Sequence, residues 1–370
     1  MSLLPSPESV GAAGANLFDM FFGGGLSDLR RTPAQIIDEG PKRTIYRYLE
    51  TEHRAAAGLP VLLIPPLAAP TVCFDLRRGC SLAGHLIAEG HPTYLLEYGD
   101  IAFSDRDLGI EHWIEDVLPT AIRKVSEDTG GRPVQLVGWC LGGIMALLTA
   151  AAHPELPINA IATVASPFDF RKVRMMAPLR PIADFGDGFL GSAIYKLFGG
   201  APAPLVKRSF QLTSIDRYLT KPLAVATHLD DRDYLAQMEA VDRFMDGMHA
   251  YPGRTMGQLY HQFFRVNDLA DGHLLLGDRE IDLEEVRVPV LSVAGDSDVL
   301  APREAVHHVG TLLPNAPSVR LETAPGGHLG VLAGRGARTA TWAWIDAFLT
   351  DAQSPAHRRR PGRAPLRVVA

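Results

Sequence analysis

Several features that would place the chain in a specialised class are scarce or missing. Three of the 370 residues are cysteine (Cys73, Cys80 and Cys140), which is too few and too scattered for a disulfide framework. No apolar run approaches the roughly 20 residues that a membrane-spanning helix needs. The first residues lack the basic and the continuous apolar regions of a secretory signal peptide. We therefore expect a cytoplasmic protein with no membrane span.

Clustered positive charge is also missing from the body of the chain. The formal net charge is −6, and nucleic-acid binding depends on grouped Lys and Arg, so no nucleic-acid partner is expected. The sequence contains no H-E-x-x-H or C-x-x-C motif and no glycine-rich nucleotide loop after its early strands. We therefore predict no metal site and no bound cofactor.

What the sequence does contain is an alternation of short apolar runs and segments of helical periodicity. Val61–Ile64 and Val134–Trp139 are wholly or mostly apolar, which is typical of strands buried on both faces. Further strands are predicted at residues 44–49, 93–98 and 160–165, and helices at 81–89, 110–127 and 141–153. This order predicts an α/β fold with a mostly parallel, doubly wound sheet.

Residues 167–287 interrupt the alternation. The strand pattern resumes at 288–295 and 319–323, followed by a final helix near 339–349. The predicted organisation is a peripheral segment (1–40), a core in two parts (41–166 and 288–350), an inserted helical cap (167–287) and a disordered tail (351–370). The insertion is rich in large apolar side chains, which suit either an apolar cover over an active site or a plain helical core: Met175, Met176, Phe185, Phe189, Phe244, Met245 and Met248.

The clearest motif is Gly138-Trp139-Cys140-Leu141-Gly142, placed between an apolar strand and an apolar helix. This is the context of a nucleophile elbow, as in the α/β-hydrolase fold, where a strained turn needs small neighbours two positions away. The helix after Cys140 points its positive end at the sulfur and favours a thiolate. The amide of Leu141 and that of Leu67, the first donor after Pro65-Pro66, are predicted to form the oxyanion hole. The alternative is a buried structural cysteine.

An acid and a base follow the later strands in the order that this fold requires. Asp298 and Asp296 lie directly after the strand that ends at Gly295, and His328 lies soon after the next strand. We predict His328 as the base and Asp298 as its carboxylate partner, with Asp296 as the alternative acid. His307 and His308 are interpreted as surface or packing residues.

These residues resemble the polyhydroxyalkanoate synthases, and by length the short class III catalytic subunits. The likeness runs from about residue 32 to 349. Besides the cysteine elbow, the segments that carry it are Leu63-Ile64-Pro65-Pro66, Phe74-Asp75-Leu76-Arg77, Val266-Asn267-Asp268, residues 283–290, Gly295-x-x-Asp298-x-x-x-Pro302 and Gly327-His328-Leu329-Gly330. The sequence departs from the family's pattern at residues 67–73, at Tyr98 and at Val299.

The resemblance implies an acyltransferase that polymerises (R)-3-hydroxyacyl-CoA through a thioester on Cys140. It also implies a homodimer or a second synthase subunit as partner, and location at polymer granules. One alternative is a hydrolase, such as a cysteine thioesterase, an esterase or a polyester depolymerase. The other is a non-catalytic protein that binds granules or a partner, which an intact set of Cys140, His328 and Asp298 argues against.

Overall fold

The computed structural model describes residues 6–49, 57–173, 200–212 and 215–353. Its strands in these ranges are β1 (Ala34–Gly40), β2 (Arg43–Tyr48), β3 (Val61–Ile64), β4 (Asp75–Arg77), β5 (Cys80–Ser81), β6 (Thr93–Glu97), β7 (Val134–Trp139), β8 (Ile158–Val164), β9 (Gly200–Ala201), β10 (Tyr251–Pro252), β11 (His273–Leu276), β12 (Arg279–Asp282), β13 (Val290–Gly295) and β14 (Val319–Ala324).

The α-helices of the same ranges are α1 (Pro7–Phe21), α2 (Leu82–Ala88), α3 (Ile110–His112), α4 (Leu118–Asp128), α5 (Leu141–Ala152), α6 (Ala203–Leu212), α7 (Ile215–Thr227), α8 (Arg232–Asp246), α9 (Gly253–Gln258), α10 (Asp268–Asp271), α11 (Arg303–Val306), α12 (Gly330–Ala333) and α13 (Thr341–Gln353). Wider π-helical turns occupy Trp113–Val117 and Leu259–Val266. Across the described ranges, none of the helices combines the length and the apolar character needed to cross a membrane.

Eight strands form the central sheet in the order β1-β2-β6-β3-β7-β8-β13-β14. From β6 to β14 the neighbours run parallel, whereas β1–β2 and β2–β6 are antiparallel. The chain passes from β3 to β6 on one side and then crosses to β7 on the other, so the order reverses at β3. The carboxyl ends of β3 and β7 therefore flank a topological switch point, where sites in such sheets are found.

Two apolar clusters cover the two faces of this sheet. Along β3, Leu62 and Ile64 belong to the cluster that contains the side chains of α5, whereas Val61 and Leu63 belong to the cluster that contains α2 and α13. Every residue of α5 is buried. The strand and the helix that flank Cys140 are thus both fully buried in the core.

The five strands predicted before residue 167 are all present, with ends that differ by one or two residues. The predicted helix at 110–127 is interrupted by the π-helical turn at Trp113–Val117, directly before Pro119, whose nitrogen has no hydrogen to donate. Strand β1, which lies in the segment predicted to be peripheral, was not foreseen. Most of its residues are exposed at the sheet edge, so it carries no strong apolar pattern.

The described part of residues 167–287 contains helices α6 to α10, together with the β9–β10 pair and a hairpin formed by β11 and β12, which were not foreseen. Leu274, Leu276 and Ile281 of this hairpin are buried in the same cluster as α5, so they pack on the core of the sheet. The division into a core and an inserted cap stays a prediction, as does the boundary of the cap at residue 287. Helix α13 continues to Gln353, which includes the first residues of the predicted disordered tail; the rest of that tail lies outside the described residues.

Candidate active site

Cys140 lies at the carboxyl end of β7 and immediately precedes α5. Its backbone has φ 54° and ψ −123°, a conformation that residues other than glycine rarely adopt. The amide of Cys140 donates to the Val164 carbonyl at 2.8 Å, and its carbonyl accepts from the Ser166 hydroxyl at 2.7 Å. These two bonds to the end of β8 hold the strained turn in place.

The glycines on either side of Cys140 are required by close backbone approaches. A Cβ at Gly138 would lie 2.5 Å from the backbone of Gly143, and a Cβ at Gly142 would lie 2.1 Å from the Ile64 carbonyl oxygen. Because these contacts are with backbone, no side-chain movement could relieve them. The spacing of small residues predicted for a nucleophile elbow is therefore explained by the structure of this turn.

Asp298, and not Asp296, contacts the candidate base. The Asp298 Oδ2 atom lies 2.9 Å from His328 Nδ1, and its side chain has no exposed surface. Its other oxygen accepts from the amides of Leu300 and Ala301, both at 2.9 Å. Asp296 is exposed and accepts from the amide of Gly326 at 2.9 Å, so its side chain bonds the loop before His328 and does not contact the imidazole.

The charge state of His328 is set by its two neighbours. Burial disfavours the imidazolium and lowers the pKa of His328, but the negative charges of Cys140 and Asp298, together with their hydrogen bonds, outweigh burial and raise this pKa to about 10. At neutral pH the imidazolium form is therefore favoured. A charged imidazole next to Cys140 is the environment that stabilises a reactive thiolate.

The two predicted oxyanion donors lie at neighbouring strand ends. Among the described residues, no acceptor is bonded to the amide of Leu67 or to that of Leu141, so both remain available to a ligand. Leu67 follows β3, whose last residue pairs with Gly138. Tyr98, one of the departures from the family's pattern, donates its hydroxyl to the Pro65 carbonyl at 3.1 Å and so supports the same loop.

Apolar side chains of the insertion pack beside the elbow. The Phe244 ring meets the Trp139 ring edge-on at a centroid distance of 5.9 Å, and the Trp139 indole donates to the His328 carbonyl at 3.1 Å. Met245 and Met248 belong to the same apolar cluster as Cys140. The other predicted cap residues, Met175, Met176, Phe185 and Phe189, lie outside the described residues.

The two remaining cysteines differ from Cys140 in exposure and in environment. Cys73 and Cys80 are buried, whereas Cys140 is partly exposed. Burial raises the pKa of both the Cys73 and the Cys80 thiols. Neither has a histidine partner among the described contacts, so of the three cysteines Cys140 is the candidate for a reactive thiol.

Sequence reasoning missed two residues near the site. Ser166 holds the carbonyl of Cys140, and its position directly after a predicted strand was the signal that could have identified it. The phenol of Tyr251 in β10 has a raised pKa because of burial and because of the charge of Cys140. No sequence pattern marks Tyr251, since β10 has only two residues.

The fold agrees with the comparisons. Residues 60–334 match the family model described as alpha/beta hydrolase fold, and the chain belongs to this family. Within it, the chain is similar to a poly(3-hydroxyalkanoate) polymerase subunit PhaC of Allochromatium vinosum, with 25% identity over 85% of this chain and 88% of that one. The resemblance predicted from the sequence is thereby confirmed.

Two further relatives carry the same name. The PhaC subunit of Haloferax mediterranei is 22% identical over 87% of this chain, and the chain covers 64% of the length of that relative. The PhaC subunit of Synechocystis sp. is 24% identical over 81% of this chain and 79% of its own length. Among solved structures, a bromoperoxidase from Bacillus anthracis is similar with a TM-score of 0.48, at 16% identity over 86% of this chain and all of that one.

Proposed function

We propose that this chain is an acyltransferase that polymerises (R)-3-hydroxyacyl groups, delivered as coenzyme A thioesters, into polyhydroxyalkanoate. Cys140 would be the nucleophile, His328 the base and Asp298 the residue that orients the base. The observation that supports this is the contact of buried Asp298 with His328 beside a cysteine elbow, in a chain similar to a PhaC polymerase subunit over 85% of its length.

In the first half of the proposed reaction, the Cys140 thiolate attacks the thioester carbonyl. The amides of Leu141 and Leu67 bind the oxyanion that forms. The coenzyme A sulfur then leaves and takes the proton from the His328 imidazolium. In the second half, a hydroxyl of the growing chain attacks the acyl group on Cys140. His328 accepts the proton of that hydroxyl, and Cys140 leaves as a thiolate.

A cysteine suits this reaction because exchange between two thioesters changes the free energy little. The acyl group on Cys140 therefore keeps its transfer potential until the hydroxyl forms an oxygen ester. Water must be kept from the same acyl group, and the packing of Phe244, Met245 and Met248 near the elbow supports such a shielded site.

A cysteine hydrolase is the second candidate, and one observation favours it. A cavity of about 220 Å³ adjoins Leu67 and is lined by the polar residues Glu97, Asp100 and His249. Such a cavity can hold water close to the proposed oxyanion hole. Water in place of the hydroxyl would release a free hydroxy acid, as in a thioesterase.

Incubation with 3-hydroxybutyryl-CoA separates the candidates. We expect release of coenzyme A, after a lag or with a primer, together with an insoluble ester detected by mass analysis. One free hydroxy acid per coenzyme A, with no ester-linked oligomer under any priming condition, would instead establish the hydrolase. No release of coenzyme A would favour a non-catalytic, granule- or partner-binding protein.

The resemblance also supports a homodimer or a second synthase subunit as partner and location at polymer granules. Light scattering of the purified chain, alone and with added polyester, tests both. A monomer would contradict the homodimer, and a chain that does not bind the polyester would contradict location at granules. The absence of a metal, a bound cofactor and a nucleic-acid partner stays a prediction.

A further inference from the structure

A buried arginine outside the candidate triad joins the core to the insertion. Arg77, the last residue of β4, has a side chain that is only 7% exposed. Its guanidinium donates to Asp233 Oδ1 at 2.6 Å and to Gln237 Oε1 at 3.0 Å. Both acceptors lie on α8, one turn apart, so a single planar group bonds two successive turns of this helix.

The same two acceptors connect α8 to the segment that follows His328. The amide nitrogen of Gln237 donates to the carbonyl of Ala333 at 2.7 Å, and Ala333 is the last residue of α12. Asp233 Oδ2 also accepts from the Arg338 guanidinium at 3.1 Å. Helix α12 begins two residues after His328, so the network fixes the far end of the short segment that carries the candidate base.

The other end of α8 is linked to the near end of that segment through Trp139. Phe244 lies on the same face of the helix as Asp233 and Gln237, because residues spaced by seven and eleven positions share one face. Its ring packs on Trp139, and the indole of Trp139 donates to the carbonyl of His328. Helix α8 is therefore linked to the His328 segment at two points, directly through Gln237 and indirectly through Phe244 and Trp139. Arg77 is bonded to Gln237.

We propose that Arg77 is a positioning residue, which holds α8 against α12 so that His328 stays in line between Asp298 and Cys140. The proposal rests on the proposed role of His328 as the base. Arg77 acts only through Gln237 and α8 and touches no reacting atom. Lysine could keep the charge next to Asp233, but it could not bond both acceptors with one planar group.

The test compares Arg77→Gln with a control variant at an ion-paired arginine of similar burial. Arg43 and Asp38, at the β1–β2 edge of the sheet, have side chains that are 12% and 17% exposed and are bonded at 2.9 Å. We expect Arg77→Gln to lower kcat for thioester cleavage about 10- to 100-fold with KM changed little, because small displacements of catalytic groups have effects of this size. Arg43→Gln should leave both constants unchanged.

A second readout does not depend on turnover. The pH profile of Cys140 alkylation by iodoacetamide, followed by peptide mass analysis, reports how well His328 stabilises the thiolate. Its midpoint should move to higher pH in Arg77→Gln, stay unchanged in Arg43→Gln, and be intermediate in Arg77→Lys. Gln237→Glu keeps an acceptor for Arg77 but cannot donate to the Ala333 carbonyl. It should therefore show the same lower kcat and the same shift of the alkylation midpoint, and it tests the proposal if Arg77→Gln does not fold.

The proposal is wrong if folded Arg77→Gln or Gln237→Glu retains the kcat and the alkylation profile of the unchanged protein, whatever its Tm. Failure of the proposed function has a different signature. In that case His328→Gln would leave the alkylation profile of Cys140 unchanged, and the unchanged protein would show no fast-reacting thiol.

Discussion

Replacing Asp298 with asparagine changes one buried atom next to the candidate base. The Oδ1 atom can continue to accept from the amides of Leu300 and Ala301, so the local turn should persist. The Oδ2 atom, 2.9 Å from His328 Nδ1, becomes an NH₂ group. This new group is a donor, so Nδ1 of His328 must act as the acceptor and the proton of the neutral imidazole must lie on Nε2. In this tautomer Nε2 cannot accept the proton of Cys140.

The size of the effect follows from this wrong tautomer and from the loss of a fully buried negative charge. We expect Asp298→Asn to lower kcat by roughly 10²- to 10⁴-fold, which corresponds to about 3 to 5 kcal/mol of activation free energy. The effect on folding should be smaller than for Asp298→Ala, which would also leave two buried amides without an acceptor.

The assay is release of coenzyme A from 3-hydroxybutyryl-CoA, with Asp296→Asn as the matched control. Asp296 is exposed, and asparagine retains the oxygen that accepts from Gly326. This control should therefore lose less than about threefold in rate, since it touches no group in contact with His328. If Asp296→Asn loses more activity than Asp298→Asn, the reasoning from burial and contact is refuted and the acid is Asp296.

Three further predictions concern the elbow and its base. Cys140→Ala should abolish turnover, and iodoacetamide should label Cys140 before Cys73 or Cys80; preferential labelling of either buried thiol would contradict this. Because the folded pKa of His328 is raised from 6.5 to about 10, its stabilising contribution is complete below pH 6.5 and is lost as pH rises through about 10. Urea unfolding should therefore show that the free energy of unfolding falls more between pH 6 and pH 10 in the unchanged protein than in His328→Gln. Equal decreases in the two proteins would contradict the raised pKa of His328. Gly142→Ala should lower the Tm and the yield of folded protein, because its Cβ would lie 2.1 Å from a backbone oxygen of β3; a normal Tm by calorimetry would rule this out.

The parts of the fold that the sequence predicts are those with dense local signals. Strand β7 is apolar, and two glycines flank the cysteine that follows it. The sequence signals of the strand, the turn and the helix therefore all favour the same backbone conformation. The exposed strand β1 and the four-residue strands of the β11–β12 hairpin carry few such signals, and they were missed.

The two aspartates after β13 show a limit of prediction from local sequence patterns. Asp296 and Asp298 follow the same strand two positions apart, so order along the chain cannot separate them. The turn after Gly295 separates them by directing Asp298 toward the buried amides and leaving Asp296 exposed. The contact of Arg77 with Asp233 joins residues 156 positions apart, and no spacing rule within a single sequence identifies such a pair.

The backbone of the elbow restricts side-chain size at Gly138 and Gly142, but it does not restrict which atom follows the Cβ of residue 140. A serine at position 140 would need no change in the backbone, because sulfur and oxygen attach to the same Cβ. The architecture and the nucleophile can therefore change independently during evolution or in the laboratory. Cys140→Ser is accordingly a natural starting point for testing whether the proposed thiol nucleophile can be replaced by a hydroxyl on an unaltered scaffold.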